Sequence, residues 1–422
     1  MDENNAQVLS KTTMDFLHTY IKELDVKDYV VNISRGSNHG DNYLGVIAKV
    51  QVKTEKLIMN WILKSAMQQE AFRSFLSVPK VYAREVYVYD KVLFEFNRFQ
   101  KEKCVSKPFK SYAKYHTCFL TAPYECFIMD DMKVLGYKLW KRSEPLDYNH
   151  VLLVMREYGR FHALSFAMRD QKPSLFQEIS ENIEEIFFNE EAFLRDDMLK
   201  FQDVQLEKIV KALDPLLCES VHEKFMRFKE RMTETIKTVI HSTAVGKYSV
   251  VCHGDSWINN FLFKYGNSER PNPFPSDICI LDWQQCRLGS PVLDLSYFIF
   301  SSTDKKFRDE YYDEMMREYH SSLSNFLIEL RSDPKELYPF HVFEEDLRIF
   351  SVFGLYMAIN ILYFVVSDTE EIPDFFNVTS GEDAIEQMNF QSKNIEKFNS
   401  RVRGVVLDFG KLNYDFGTAF CR

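Results

Sequence analysis

Apolar positions near the start of the chain recur at helical spacing. Val8, Met14, Phe16, Leu17, Tyr20, Ile21 and Leu24 predict a helix over residues 5–30. From Ile33 a strand runs into a turn of small polar residues that ends at Tyr43. Further strands are expected over Leu44–Val50 and Leu57–Lys64. Val81–Phe99 reads as a helix, Tyr124–Met132 as an apolar strand ending in acids, and 133–147 as a linker. Tyr148–Arg169 has a strongly amphipathic helical pattern. Amphipathic helices continue over 181–242, with a break near Pro215 and Cys218. Then the period changes. Tyr248–Cys252 and Phe261–Phe263 are short apolar runs, Lys264–Asp277 is a polar turn with Pro and Gly, and Ile278–Leu281 is apolar again. This predicts strand, turn, strand, with acidic groups at one edge. Helices are expected over 292–300, 306–330, 343–366 and 383–407.

One run tests whether the chain meets a membrane. Ile349–Val366 is 18 residues without a charge, long enough to span a bilayer. Gly354 and Asn360 interrupt it, and both flanks are acidic rather than basic: Glu344, Glu345 and Asp346 before, Asp368, Glu370 and Glu371 after. A buried core helix is therefore expected in preference to an integral membrane protein. The N-terminal MDENNAQVLSK has no apolar signal core, so a cytoplasmic location is expected. At 422 residues, 45% of them hydrophobic, the chain can bury a large core and form two lobes. A formal charge of −10 argues against a nucleic-acid partner. The eight cysteines include no CxxC pair, which points to reduced thiols rather than a zinc site or disulfide framework.

The candidate chemistry lies in the two strands around the polar turn. His253-Gly254-Asp255 is followed by an amide, Asn260, five residues after the aspartate, and Asp282 ends the next apolar run in Asp282-Trp283-Gln284. Phosphoryl transfer from a nucleotide uses one carboxylate to orient a hydroxyl, and an Asn and an Asp to hold Mg²⁺ against the phosphates. The order and spacing follow the H-R-D and D-F-G stretches of protein kinases, with HGD and DWQ in their places. Lys64, closing an apolar strand, would put its stem over the core and its ammonium at the rim. Glu85, on an apolar helix face where an unpaired carboxylate is costly, is its expected partner; Glu70 and Lys53 are the competing choices. Gly36, Ser37, Asn38, Gly40, Asp41 and Asn42 form a small polar turn whose amides could approach phosphates. Asp130, Asp131 and Met132 stand where a hinge would offer backbone groups to an adenine. His162 reads as a core or polar-network histidine. Asp294 reads as an acceptor for catalytic-loop amides or as a helix N-terminal acid.

Taken together, HGDSWINNFLF, ILDWQQCRLGSPVLDLSYFIFSS, GSNHGDNYLGVIAKV and RFHALSFAM resemble the ecdysteroid kinase-like family. That family is found largely in insects and is related to choline kinases and aminoglycoside phosphotransferases. The resemblance runs from about Ile33 to about Val366. It implies an α+β, two-lobed, protein-kinase-like fold: a small β-rich N-lobe over 1–130 and a larger, mostly helical C-lobe over 131–422. It implies ATP and Mg²⁺ as cofactors, Asp255 as catalytic base, and Asn260 and Asp282 as metal ligands. Lys64 would contact the phosphates, held by Glu85; Gly36–Asn42 would cover them, and Asp130–Met132 would form the hinge. His253 would support the loop. The family usually has Phe where this chain has Trp283, and a larger ring there could reshape the pocket beside the metal. The implied reaction is phosphorylation of a hydroxyl on an ecdysteroid or another steroid-like or xenobiotic alcohol, by a monomer with no nucleic-acid or membrane partner. The acidic balance also suits a cationic acceptor, as in choline or aminoglycoside kinases. A catalytically silent ligand-binding protein on the same fold is the remaining rival.

Overall fold

A computed structural model describes residues 8–36, 45–213, 219–266, 274–373 and 380–419. Its first helix, α1 (Lys11–Glu23), starts where the Ser10 side chain accepts the Thr13 N–H at 3.1 Å. It ends well short of residue 30, because Asp25 and Asp28 take left-handed backbone conformations. Then come β1 (Val30–Arg35), β2 (Gly45–Lys53) and β3 (Ile58–Ala66). The short α2 (Glu70–Phe75) leads to α3 (Val78–Tyr87), which passes through a π-helical stretch, Val88–Leu93, into α4 (Phe94–Lys103). The expected helix over 81–99 is thus longer at both ends.

Two more strands, β4 (Tyr115–Phe119) and β5 (Cys126–Asp130), complete an antiparallel five-stranded sheet of order β1-β2-β3-β5-β4. Side chains alternate across it. Ala48, Val50, Val52, Trp61 and Leu63 point one way, into a cluster with Leu17 and Ile21 of α1. The other parity, with Lys64 in register between Ile47 and Phe127, faces the rest of the molecule.

The expected linker over 133–147 contains a strand, β6 (Tyr137–Leu139). After it the chain is mainly helical: α5 (Tyr148–Gln171), α6 (Pro173–Glu181), α7 (Glu190–Phe193), α8 (Asp196–Ala212), α9 (Glu219–Ile240) and α10 (Ser242–Val245). The break expected near Pro215 and Cys218 falls outside the described residues. Four short strands interrupt the helices: β7 (Val250–Cys252), β8 (Phe261–Tyr265), β9 (Pro275–Ile280) and β10 (Arg287–Gly289). β8 pairs with β6 and β9, and β10 pairs with β7, so the turn expected over 285–291 holds a strand.

The chain closes with α11 (Pro291–Ser302), α12 (Lys305–Glu329), α13 (Pro334–Leu337), α14 (Phe340–Phe350), α15 (Val352–Val366), α16 (Gly381–Met388) and α17 (Ile395–Lys411). Each of the last two expected helices is therefore split in two. Among the described residues no single helix is long and apolar enough to cross a membrane; Pro334–Phe350 and Val352–Val366 reach that length only as a pair bent by 46°. Most of α15 is buried. Gly354 explains one interruption in that stretch: a Cβ there would lie 2.5 Å from the Ser296 backbone, so α15 and α11 approach closely. Mixed α+β architecture, with the sheet first and the helices after, is as expected.

Candidate active site

The cleft between the five-stranded sheet and the helical part is lined by Ile47 and Ile62 on the sheet side. Leu139, Leu262 and Leu281 face it from the other side, a spacing of apolar side chains that suits a flat ring. Polar groups gather at its inner end.

Lys64 is the centre of that end. Its Nζ donates to Glu85 Oε2 at 2.7 Å, to Asp282 Oδ1, and weakly to Gln284 Oε1 at 3.4 Å. Glu85 comes from α3, and neither Glu70 nor Lys53 replaces a partner in this pair. The depth differs from expectation. β3 runs on to Ala66, so Lys64 does not close the strand, and its side chain is only 3% exposed rather than at the rim. Burial alone would lower its pKa, but the Asp282 and Glu85 carboxylates outweigh that and hold the ammonium above its ordinary value. For Glu85 burial wins, aided by Asp282 and opposed by Lys64, and its carboxyl is pushed up to about 7.

Asp282 follows β9 in a left-handed conformation, φ 68° and ψ 62°, rare for a residue with a Cβ. Such conformations cost roughly 1–3 kcal/mol and persist where the surroundings enforce them. The Leu281 N–H is bound by the Asn260 carbonyl at 2.9 Å, and the Leu281 carbonyl by His253 Nε2 at 2.8 Å. That second bond makes Nε2 the protonated nitrogen of His253. Burial lowers the imidazole pKa, so the ring stays neutral. His253 thus supports the loop, as expected. Trp283 does not reach the cleft. It is fully buried, with the His253 ring edge-on at 4.8 Å and Phe161 at 5.2 Å.

Asp255 lies across from Asp282. The Asn260 Nδ2 donates to Asp255 Oδ2 at 2.9 Å and to the Asp255 carbonyl at 2.8 Å, while the Tyr297 hydroxyl donates to Oδ1 at 3.1 Å. Burial and the Asp282 charge push the Asp255 carboxyl up to about 7, against the lowering effect of those hydrogen bonds. A carboxyl poised there exchanges protons readily near neutrality. With its nitrogen committed, Asn260 has its amide oxygen for other use. That oxygen and the Asp282 carboxylate, both from residues that line the cleft, are oxygen donors of the kind that suit a hard divalent cation such as Mg²⁺.

Beneath the loop, Asp294 accepts from the backbone N–H of His253 (2.6 Å), that of Gly254 (2.8 Å), and the Ser256 hydroxyl (2.9 Å). His162 Nε2 adds a fourth contact at 3.1 Å, and its Nδ1 meets the Tyr319 hydroxyl at 2.9 Å. The amide-acceptor reading of Asp294 and the polar-network reading of His162 both hold. Although burial raises its pKa, the hydrogen bonds from His162 and from the loop hold the Asp294 carboxyl below its ordinary range.

Gly36, Asp130, Asp131 and Met132 all line the cleft. Ser37, Asn38, Gly40, Asp41 and Asn42 lie outside the described residues. Asp130 Oδ1 is 2.6 Å from His116 Nε2, and the Asp131 N–H is bonded to the Asn60 carbonyl at 3.1 Å. Sequence reasoning missed Tyr297, Gln284 and Arg84. Arg84 is next to Glu85 and donates to the Cys286 carbonyl at 2.5 Å and to that of Glu184 at 2.6 Å.

The match to a family model puts the chain in a kinase-like class of protein. Residues 39–332 match the ecdysteroid kinase-like family, and the chain belongs to that family, one of kinase-like phosphotransferases. A search of curated protein sequences finds no significant match. Among solved structures, the GDP complex of wild-type aminoglycoside 2'-phosphotransferase-IIIa is similar at 8% identity and a TM-score of 0.41, covering 92% of this chain and 99% of that one. The GDP complex of a point mutant of the same enzyme gives 9%, 0.39, 89% and 97%.

Proposed function

We propose that the protein transfers the γ-phosphoryl group of ATP to a hydroxyl of a small-molecule alcohol, an ecdysteroid or another steroid-like or xenobiotic alcohol. The observation that carries the reading is the convergence of Lys64, Glu85 and Asp282 at the inner end of an apolar slot, beside Asp255. The adenine lies between Ile47 and Ile62 on one side and Leu262 and Leu281 on the other, with its edge at the backbone of 130–132. Gly36–Asn42 covers the phosphates, and residues 1–130 act as the nucleotide-binding lobe. Lys64, kept charged and fixed by Glu85, neutralises phosphate oxygens. Asp255 accepts a hydrogen bond from the acceptor hydroxyl, aligns its oxygen, and takes its proton as the new oxygen–phosphorus bond forms and the bond from the γ-phosphorus to the β–γ bridging oxygen breaks, so that ADP leaves. Asn260 and Asp282 would hold Mg²⁺, which when bound neutralises phosphate charge. The protein works as a cytoplasmic monomer.

The test is a mass-spectrometric transfer assay with ATP, Mg²⁺ and a panel of ecdysteroids, plant phenolics and amino alcohols, with Asp255→Asn as control. A gain of one phosphate by an ecdysteroid or phenolic, absent with the variant, is the expected result. Gain by amino alcohols alone would move the acceptor to the cationic class. ATP binding with no transfer at all would favour a silent binder.

A further inference from the structure

One edge of the molecule, beside the segment Asp130–Met132 that lines the cleft, gathers exposed apolar side chains. Val30, Lys53 and Ile58 are in register across the ends of β1, β2 and β3, and Leu57 precedes Ile58 in the β2–β3 turn. Two residues further along β3, the Asn60 carbonyl accepts the Asp131 N–H at 3.1 Å, which puts Asp131 at this end of the sheet. The chain then turns tightly: the Met132 carbonyl accepts from the N–H groups of Leu135 and Tyr137, both at 3.1 Å. Val134 and Leu135 stand on that turn. Phe274 lies at the matching end of the sheet β6-β8-β9, just before Pro275, which pairs with Tyr265. Val30, Leu57, Ile58, Val134, Leu135 and Phe274 are each at least 50% exposed. Among the described residues only two other large apolar side chains, Phe94 and Ile328, are as exposed, so this edge holds six of eight.

The same edge is basic in a chain whose formal charge is −10. Lys53 and Lys56 flank the β2–β3 turn, and Lys133 and Lys138 flank the second turn. The Lys114 carbonyl accepts the Asp130 N–H at 2.9 Å, so a fifth lysine stands at this end of the sheet. All five are exposed, and among the described residues none of them has an ion pair. Asp28 and Glu55, the unpaired exposed acids next to Val30 and Lys56, offset only part of that charge.

Apolar side chains gathered in contact with water mark a surface that another body covers. Here they stand on turns rather than in a groove, and unpaired lysines surround them. That combination suits the interface of an anionic bilayer, where apolar groups enter among the headgroups and ammoniums on long stems stay at the phosphates. Two copies meeting by this edge would instead bring like charge against like charge. We propose that the two turns dock the protein on an anionic membrane, their apolar side chains in the headgroup region and their lysines against lipid phosphates and carboxylates. This departs from the expectation of no membrane partner, and it needs no spanning segment. It goes beyond the reaction proposed above and does not depend on it.

The full chain is sedimented with phosphatidylcholine vesicles, with and without phosphatidylserine. Two double variants are compared with it: Lys53→Gln with Lys56→Gln, and Val134→Ser with Leu135→Ser. These side chains are exposed, so thermal midpoints are expected to match the parent and to show that each variant is folded. The parent is expected to bind vesicles that contain phosphatidylserine and to lose that binding in high salt. Removing the lysine pair lowers the partition coefficient about thirtyfold. Removing the apolar pair lowers it at least about tenfold. No binding by the parent overturns the proposal. So does binding that is equal with and without phosphatidylserine, or that either double variant leaves unchanged. A parent that self-associates in solution, and becomes monomeric when Val134 and Leu135 are replaced, assigns the edge to a second copy and overturns the proposal too.

Discussion

Asp294 receives the backbone N–H of His253 at 2.6 Å, and that bond fixes the first residue of the catalytic loop to the buried start of α11. Neither group has access to water. Asp294→Ala strands the His253 and Gly254 amides and leaves His162 without its carboxylate. Unsatisfied buried groups cost about 1–3 kcal/mol each, and the loss here is expected to be about 3–5 kcal/mol. Urea unfolding measures it. A loss under about 1 kcal/mol would mean that the loop is held by other bonds.

Asp282→Asn separates charge from shape. Asn tolerates the left-handed backbone at this position at least as well as Asp, and its oxygen can still accept from Lys64. Thermal stability is therefore expected to change little, while transfer falls by at least about a hundredfold as the charge is lost. Turnover equal to the parent protein would remove Asp282 from the site.

At Gly254 the backbone has φ +86°, and a Cβ would lie 2.0 Å from the Gln285 carbonyl oxygen. Gly254→Ala cannot be accommodated without moving either the catalytic loop or the segment after Trp283. A cost of about 2–4 kcal/mol is expected, with transfer reduced more than in proportion to the unfolded fraction. Chemical denaturation and rate measurements on the same sample check both parts.

The pH dependence of stability should carry a mark of Asp346. It is buried on α14 and accepts from the Tyr338 hydroxyl at 2.7 Å and from Ser290 at 3.4 Å. Burial pushes its carboxyl up to about 6 from an ordinary 3.8, although those hydrogen bonds lower it. The folded state thus holds this proton more tightly than the unfolded chain. Its stabilising contribution is complete below the unfolded value and is lost as pH rises through about 6. The span is about 3 kcal/mol at 1.36 kcal/mol per unit. Asp346→Asn removes it, so the difference in unfolding free energy between parent and variant should change by about that amount from pH 4 to pH 8. A flat difference would show that Asp346 ionises normally.

The sequence made most of the site readable because the chemistry stands beside short apolar runs that end in acids. HGD with Asn260, and LDWQ with Asp282, carry their spacing in one dimension. Lys64 and Glu85 could be paired because a carboxylate on an apolar helix face needs a cation. The depth of Lys64 was not readable: an apolar run marks a strand, but Ser65 and Ala66 gave no sign that the strand continued under the helical part. Tyr297 and Arg84 act on partners 42 and 202 residues away in sequence, and no local pattern encodes that. Nor was the 46° bend legible, since the uncharged run Ile349–Val366 continues through Ser351, where the helix breaks, without a proline or other breaker.

Arg84 and Glu85 are adjacent on α3, yet they serve opposite sides of the cleft. One grips the carbonyl of Cys286, just past Asp282; the other holds the lysine of the sheet. Helix α3 is therefore a double latch. A shift of α3 by the length of a hydrogen bond would therefore take one support from the lysine, leaving it to Asp282, and one from the segment after Asp282, both at once.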